Sequence, residues 1–212
     1  MVGIVLLAMV AAFLALRLYS VLGKRTGHEQ TFVAPIEPRR VEVDAAVPAK
    51  PVVVDLQNPS VEADAVAGVR AIGAADGSFD PPRFLEGAKS AYRMIIEAFW
   101  RGDEQAFEGL VSAEVRDAFS EAIRERGEAG HVLDNRLISI ERAVITHASV
   151  EERMAHVTVR FDADVAAVTR DTEGKVLAGS LTDALTTHDS WTFSRELRSA
   201  DPNWVLTDTD EQ

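Results

Sequence analysis

Apolar residues recur along the chain in successive rhythms. From Val2 to Leu22 they are nearly continuous, with Arg17 the single charge. At about 1.5 Å per residue this stretch spans roughly 30 Å, the hydrocarbon thickness of a bilayer, and predicts a transmembrane helix over residues 1–23. From residue 84 the spacing becomes three-four: Phe84, Leu85, Ala88, Ala91, Tyr92, Ile95, Ile96 and Phe99 make one wide stripe on a helix of about five turns. Asp80, followed by two prolines, suits its start, and Gly102 suits its end. Asp103 and Ser112 then fit the caps of two further helices, one carrying Ala106, Phe107 and Leu110, the other burying Val115, Phe119, Ala122 and Ile123. After Gly130 the period falls to two. Strands are predicted over 136–150 and 153–171, with a third near 176–185 that Gly179 and Ser180 weaken. "HDSWTFSREL" and "WVLTDTD" follow as two more strands around the turn "RSADPN". Trp191 and Phe193 share a face, with Trp204 and Leu206 placed to meet them across the hairpin. Helices followed by antiparallel strands predict an α+β domain over residues 79–210, its helices covering one face of a curved sheet.

Between these regions, residues 24–78 are rich in Val, Ala, Pro and acidic groups and show only weak three-four spacing at 61–72. They read as a tether. As a coil of about fifty residues it would reach roughly 40 Å. Within it, "PVVVDL" at 51–56 is a run that can pair as a strand or dock as a short recognition segment.

Charge orients the chain. Arg17, Lys24 and Arg25 cluster at the C-terminal end of the apolar stretch, while only Met1 precedes Val2. That asymmetry fits a retained anchor rather than a cleaved signal peptide, and the positive-inside rule puts everything after residue 23 in the cytoplasm, or in the matrix of a mitochondrial membrane. Lys24 and Arg25 would also attract anionic lipid at about 1 kcal/mol each. The net charge of −12 makes nucleic acid a poor partner. The absence of cysteine removes disulfides, thiol nucleophiles and cysteine zinc sites.

Catalytic chemistry is also unsupported. His156 alternates with Val157 and Val159, so it belongs on the face opposite the apolar set, and the adjacent His188 and Asp189 should point to opposite sides of their strand. No phosphate loop, serine-histidine elbow or paired-histidine metal motif occurs, so neither enzyme, cofactor nor metal is expected. Arg116, Arg124 and Arg126, interspersed with acidic residues, read as a solvated helix face.

"RLYSVLGKRTGHE" at 17–29, "FLEGAKSAYRMIIEAFWRGD" at 84–103, "LVSAEVRDAF" at 110–119 and "DSWTFSRELRSADPNWVL" at 189–206 together resemble bacterial members of the Tim44-like domain family. The resemblance implies a cone-like domain of the nuclear-transport-factor-two type, with an apolar pocket between the long helix and the sheet. Tyr92, Ile96, Phe99, Trp100, Trp191 and Phe193 are the candidate pocket contacts. It further implies a scaffold or adaptor at the inner membrane that binds a protein partner such as a heat-shock chaperone or translocase component, or unfolded segments, in translocation or membrane-protein quality control. Binding of lipid or a small apolar ligand in the pocket is the alternative. This sequence departs from the mitochondrial relative by having a short acidic tether and its own apolar anchor.

Overall fold

The computed structural model describes residues 60–199 and 201–211. The expected anchor, with Arg17, Lys24 and Arg25, and most of the expected tether lie outside the described residues. Among the described residues no helix is long and apolar enough to cross a membrane.

Five strands form one antiparallel sheet: β1 (Val132–Leu133), β2 (Arg136–Glu151), β3 (Met154–Arg170), β4 (Val176–Glu196) and β5 (Val205–Glu211). The central strand, β3, pairs with β1 and β2 along one edge and with β4 along the other, and β5 closes the far side of β4. Alternation along β3 buries Ala155, Val157, Val159, Phe161, Ala163 and Val165 on one face, as a half-covered strand requires.

Helix α2 (Pro81–Arg101) lies on that face. Its start is built as the sequence predicts, with the Asp80 carboxylate accepting from the Arg83 amide at 2.8 Å. It ends at Gly102, whose φ of 69° is the left-handed conformation a glycine adopts without a Cβ penalty. Asp103 caps a 3-10 turn over Glu104–Phe107, and Ser112 caps α3 (Ala113–Glu128). Phe107 is fully buried and meets Phe119 of α3 edge-on.

The sequence reading and the structure part in three places. The tether does not run to residue 78. From Ser60 the chain belongs to the fold: Val61 bridges Ile145 in parallel, and α1 (Val66–Ala75) packs on β2 with Val69 and Ile72 fully buried. A 10-residue helix rich in Gly and Ala shows only weak amphipathic spacing, and close contact with the sheet supplies what its own sequence lacks. At Gly68 a Cβ would lie 1.7 Å from the Ala148 carbonyl oxygen, so only glycine permits this approach. Second, the two strands expected over 176–197 are one. Leu185 pairs with Val165 and Ser180 with Ala167, so residues 181–184 bulge opposite Ala166 and the strand continues through. Third, Trp204 does not meet Trp191 across the hairpin. Leu206 pairs with Phe193 as expected, whereas Trp204 packs on Phe79 and Phe84.

Candidate binding cleft

The space beneath α2 is filled rather than open. Tyr92 stacks on Phe161 at 4.5 Å and touches Trp191 at 4.7 Å, and Phe84 meets Phe193 edge-on at 6.0 Å. Tyr92, Trp191 and Phe193 are therefore core residues, at 1%, 5% and 1% exposure. The Tyr92 hydroxyl donates to Asp189 Oδ2 at 2.6 Å, and the Thr187 hydroxyl donates to the same oxygen at 3.2 Å. Burying a tyrosine this deeply requires such an acceptor.

Ile96, Phe99 and Trp100, on the last turns of α2, are half-buried, and Ile96 and Trp100 pack against the margin of the core. Phe99 packs on Phe119 at 4.9 Å and lies under the Arg126 guanidinium. That arginine is not part of a solvated face. Its Nη2 donates to the Phe99 and Trp100 carbonyls at the end of α2, and burial pushes its pKa below the ordinary arginine value. Arg124 does behave as expected, pairing on the surface with Glu121 and Glu128.

An open cleft of about 460 Å³ lies on the flank of α2. One wall is a stripe along the helix: Arg83, Phe84, Gly87, Ala88, Ala91 and Met94. The opposite wall comes from Leu110, from Phe193 and Arg195 of β4, and from Pro202, Asn203 and Trp204 of the β4–β5 connection. Small side chains at 87, 88 and 91 leave the floor low, and a Cβ added at Gly87 would meet nothing within 4 Å. Met94 stands 47% exposed at the rim. Of the six residues expected as pocket contacts, only Phe193 lines this cleft.

Arg195 builds the inner wall. Its guanidinium sits 4.9 Å from the Trp204 ring centroid and pairs with Asp76 just beyond α1. Burial alone would raise the Asp76 pKa. The Ser78 hydroxyl and amide, together with Arg195, outweigh it and hold the carboxyl below its usual range. Among the described residues the Arg195 Nε is buried without a hydrogen-bond partner. Sequence shows this residue only as one charge in "RELR", and no local signal joins it to Asp76, which lies more than a hundred residues away.

His156 and His188 lie on the other face of the sheet. His156 Nδ1 lies 2.7 Å from Ser194 Oγ, and His188 Nδ1 lies 2.7 Å from Asp162 Oδ1. His188 and Asp189 thus point to opposite sides, as their adjacency predicts. Among the described residues no group of His, Asp and Glu is arranged to hold a metal ion.

No curated protein matches the chain. Among solved structures it is similar to the intermembrane-space region of the chloroplast protein ARC6, with 15% identity, a TM-score of 0.43, and coverage of 61% of this chain and 94% of that one. It is also similar to a de novo designed β-sheet protein solved by NMR, at 14% identity and a TM-score of 0.31, covering 62% of this chain and 88% of that one. A family model described as the Tim44-like domain matches residues 65–211, taking in both α1 and the closing strand β5. The match spans more than half of the sequence, and the chain belongs to the Tim44-like domain family.

Proposed function

We propose that this protein is a membrane-anchored scaffold or adaptor whose Tim44-like domain captures a protein partner or an unfolded apolar segment at the cytoplasmic face of the bacterial inner membrane, in protein translocation or membrane-protein quality control. The observation that carries the reading is the open, aromatic-walled cleft beside α2, on a domain whose core is otherwise closed. The apolar stretch before residue 23 and the bases Arg17, Lys24 and Arg25 support an inward-facing anchor. A heat-shock chaperone or a translocase component is the class of partner that such a placement suits. The domain acts by binding, without catalysis: His188 and the Asp189 carboxylate point to opposite faces, and no histidine lines the cleft.

Photoreactive residues at Met94, on the cleft rim, and at Arg124, on the exposed face of α3, test this in cells. Protein adducts from position 94 that exceed those from 124 support the reading. Equal adducts from both positions, or none from 94, refute it.

A second reading rests on the size of the same cleft, since about 460 Å³ falls within the range that accepts a small apolar ligand or an acyl chain. Native mass spectrometry of the full chain released from membranes separates the two. A bound lipid mass that Gly87→Leu removes favours the ligand, and an always-empty cleft excludes it.

A further inference from the structure

We propose that two copies of this chain associate through the free edge of β4, pairing Val176–Ser180 antiparallel about a two-fold axis at Gly179. None of these residues lines the cleft, so the inference does not depend on what the cleft binds.

Strand β4 is longer than the strand beside it. β5 covers only Asp189–Ser194, so from Val176 to His188 the outer edge of β4 has no strand partner among the described residues. The backbone donors and acceptors of such an edge are a template for another strand. Residues 181–184, which bulge opposite Ala166, interrupt the template and bound the usable part at Val176–Ser180, an ordinary strand length. Apolar side chains stand out along it. Val176 is 47% exposed, Leu181 at the start of the bulge is 40% exposed, and Leu177, an extra residue in the register with β3, is 48% exposed.

Charge selects the occupant. Between residues 175 and 187 the only charged side chains are Lys175 and Asp183, one on each side of the usable edge, and neither has an ion-pair or side-chain hydrogen-bond partner among the described residues. A segment with a free cation at one end and a free carboxylate at the other is its own antiparallel complement. In a symmetric pair Lys175 lies toward the partner's Asp183 and Leu177 toward the partner's Leu181, each contact made twice. Parallel pairing would instead set lysine against lysine and aspartate against aspartate, which is unfavourable. At the axis, where identical residues face each other, Gly179 has no side chain to collide. A foreign strand can satisfy the same backbone groups only if it also carries both charges in the right order, whereas a second copy has them by identity.

The chain contains no cysteine, so introduced thiols are unambiguous. Full-length Ala178→Cys and Ser180→Cys chains, with tags of different length, are co-expressed and their membranes oxidised. In the proposed pair these two positions oppose each other at about 4.5–5.5 Å between Cα atoms, within disulfide reach, while like positions lie about 8 Å apart. The expected product is a mixed disulfide about fivefold above either same-tag disulfide. Lys175→Glu and Asp183→Lys each lower it about fivefold, and the two together restore it. Native mass spectrometry of the wild-type chain released from membranes is a readout that needs no variant, and a dimer is expected there. Monomers alone, equal disulfides from every pairing, a mixed disulfide indifferent to the charge exchanges, or capture of the thiols by a different protein overturns the inference.

Discussion

Replacing Gly68 by alanine tests the packing of α1 on the sheet, because two effects of opposite sign compete there. In an exposed helix interior, Gly to Ala stabilises by about 1 kcal/mol. At Gly68 the new Cβ would fall 1.7 Å from the Ala148 carbonyl oxygen and 2.9 Å from the Ala148 Cβ, where ordinary contact begins at 3.4 Å. Restoring contact distance moves α1 off β2 by about 1.5 Å, and a gap of that order forfeits roughly half of the dispersion energy across it. Val69 and Ile72 are both fully buried in that interface. Burial of each is worth about 1.5–3 kcal/mol, so losing half costs about 1.5–3 kcal/mol together. The net expectation is a destabilisation of about 0.5–2 kcal/mol, the contact loss outweighing the helix gain. Gly87→Ala is the internal control, since its Cβ meets nothing within 4 Å and only the helix gain remains. Urea unfolding of the full chain followed by tryptophan fluorescence reads both. If Gly68→Ala unfolds at the same or higher urea as Gly87→Ala, α1 does not pack on the sheet as described.

Tyr92→Phe removes the hydroxyl bonded to Asp189 and should cost about 1.5 kcal/mol by the same assay, the low end for a bond to a charged group because Thr187 still serves the carboxylate. Phe107→Ala should cost about 3–5 kcal/mol, since a fully buried ring leaves a cavity between α3 and its neighbours; a loss below 1 kcal/mol would contradict that burial. Asp76 gives a pH dependence with a definite sign. Its folded-state pKa lies below the unfolded value, so the stability it contributes is present above the unfolded pKa, near 4, and fades as pH falls through the folded one. Asp76→Asn should therefore narrow the gap between stability at pH 6 and at pH 3, and an unchanged acid limb in urea titrations would refute the Asp76–Arg195 tie. Gly179→Ala should destabilise β4, because φ is 85° and its Cβ would lie 2.0 Å from the Ala167 oxygen; wild-type hydrogen exchange along 176–187 would argue otherwise.

Local signals carried the helices of the domain. Asp80, Gly102, Asp103 and Ser112 act within a few residues of themselves, so caps and stops are readable without any tertiary knowledge. The two-residue rhythm of β3 was equally plain because one face is buried along its length, whereas three register shifts interrupt β2 and bury Ala143, Val144 and Ile145 in succession. Helix α1 escaped notice since Gly68 is selected by its contact with Ala148, a partner in a distant strand. Gly179 and Ser180 looked like a break, yet a left-handed glycine and a bulge let one strand continue through. The cleft was the least legible feature. Large aromatics on the stripe suggested ligand contact at Tyr92 and Trp191, but bulk is what fills a core. The opening forms instead where the helix carries Gly87, Ala88 and Ala91, residues whose smallness gives no signal in a search for chemistry.

The parallel bridge between Val61 and Ile145 has a mechanical meaning. The Glu62 amide donates to the Ile145 carbonyl and the Ile145 amide donates to the Ser60 carbonyl, each at 2.9 Å, so the incoming chain runs alongside β2 in the same direction. Tension applied through residues before Ser60 along the strand loads both bonds together in shear, rather than peeling them one at a time. The next barrier is α1, wedged on the sheet at Gly68. A pull applied through the residues before Ser60 would thus meet its resistance at Ser60 and Glu62, on the flank of α2 opposite the cleft.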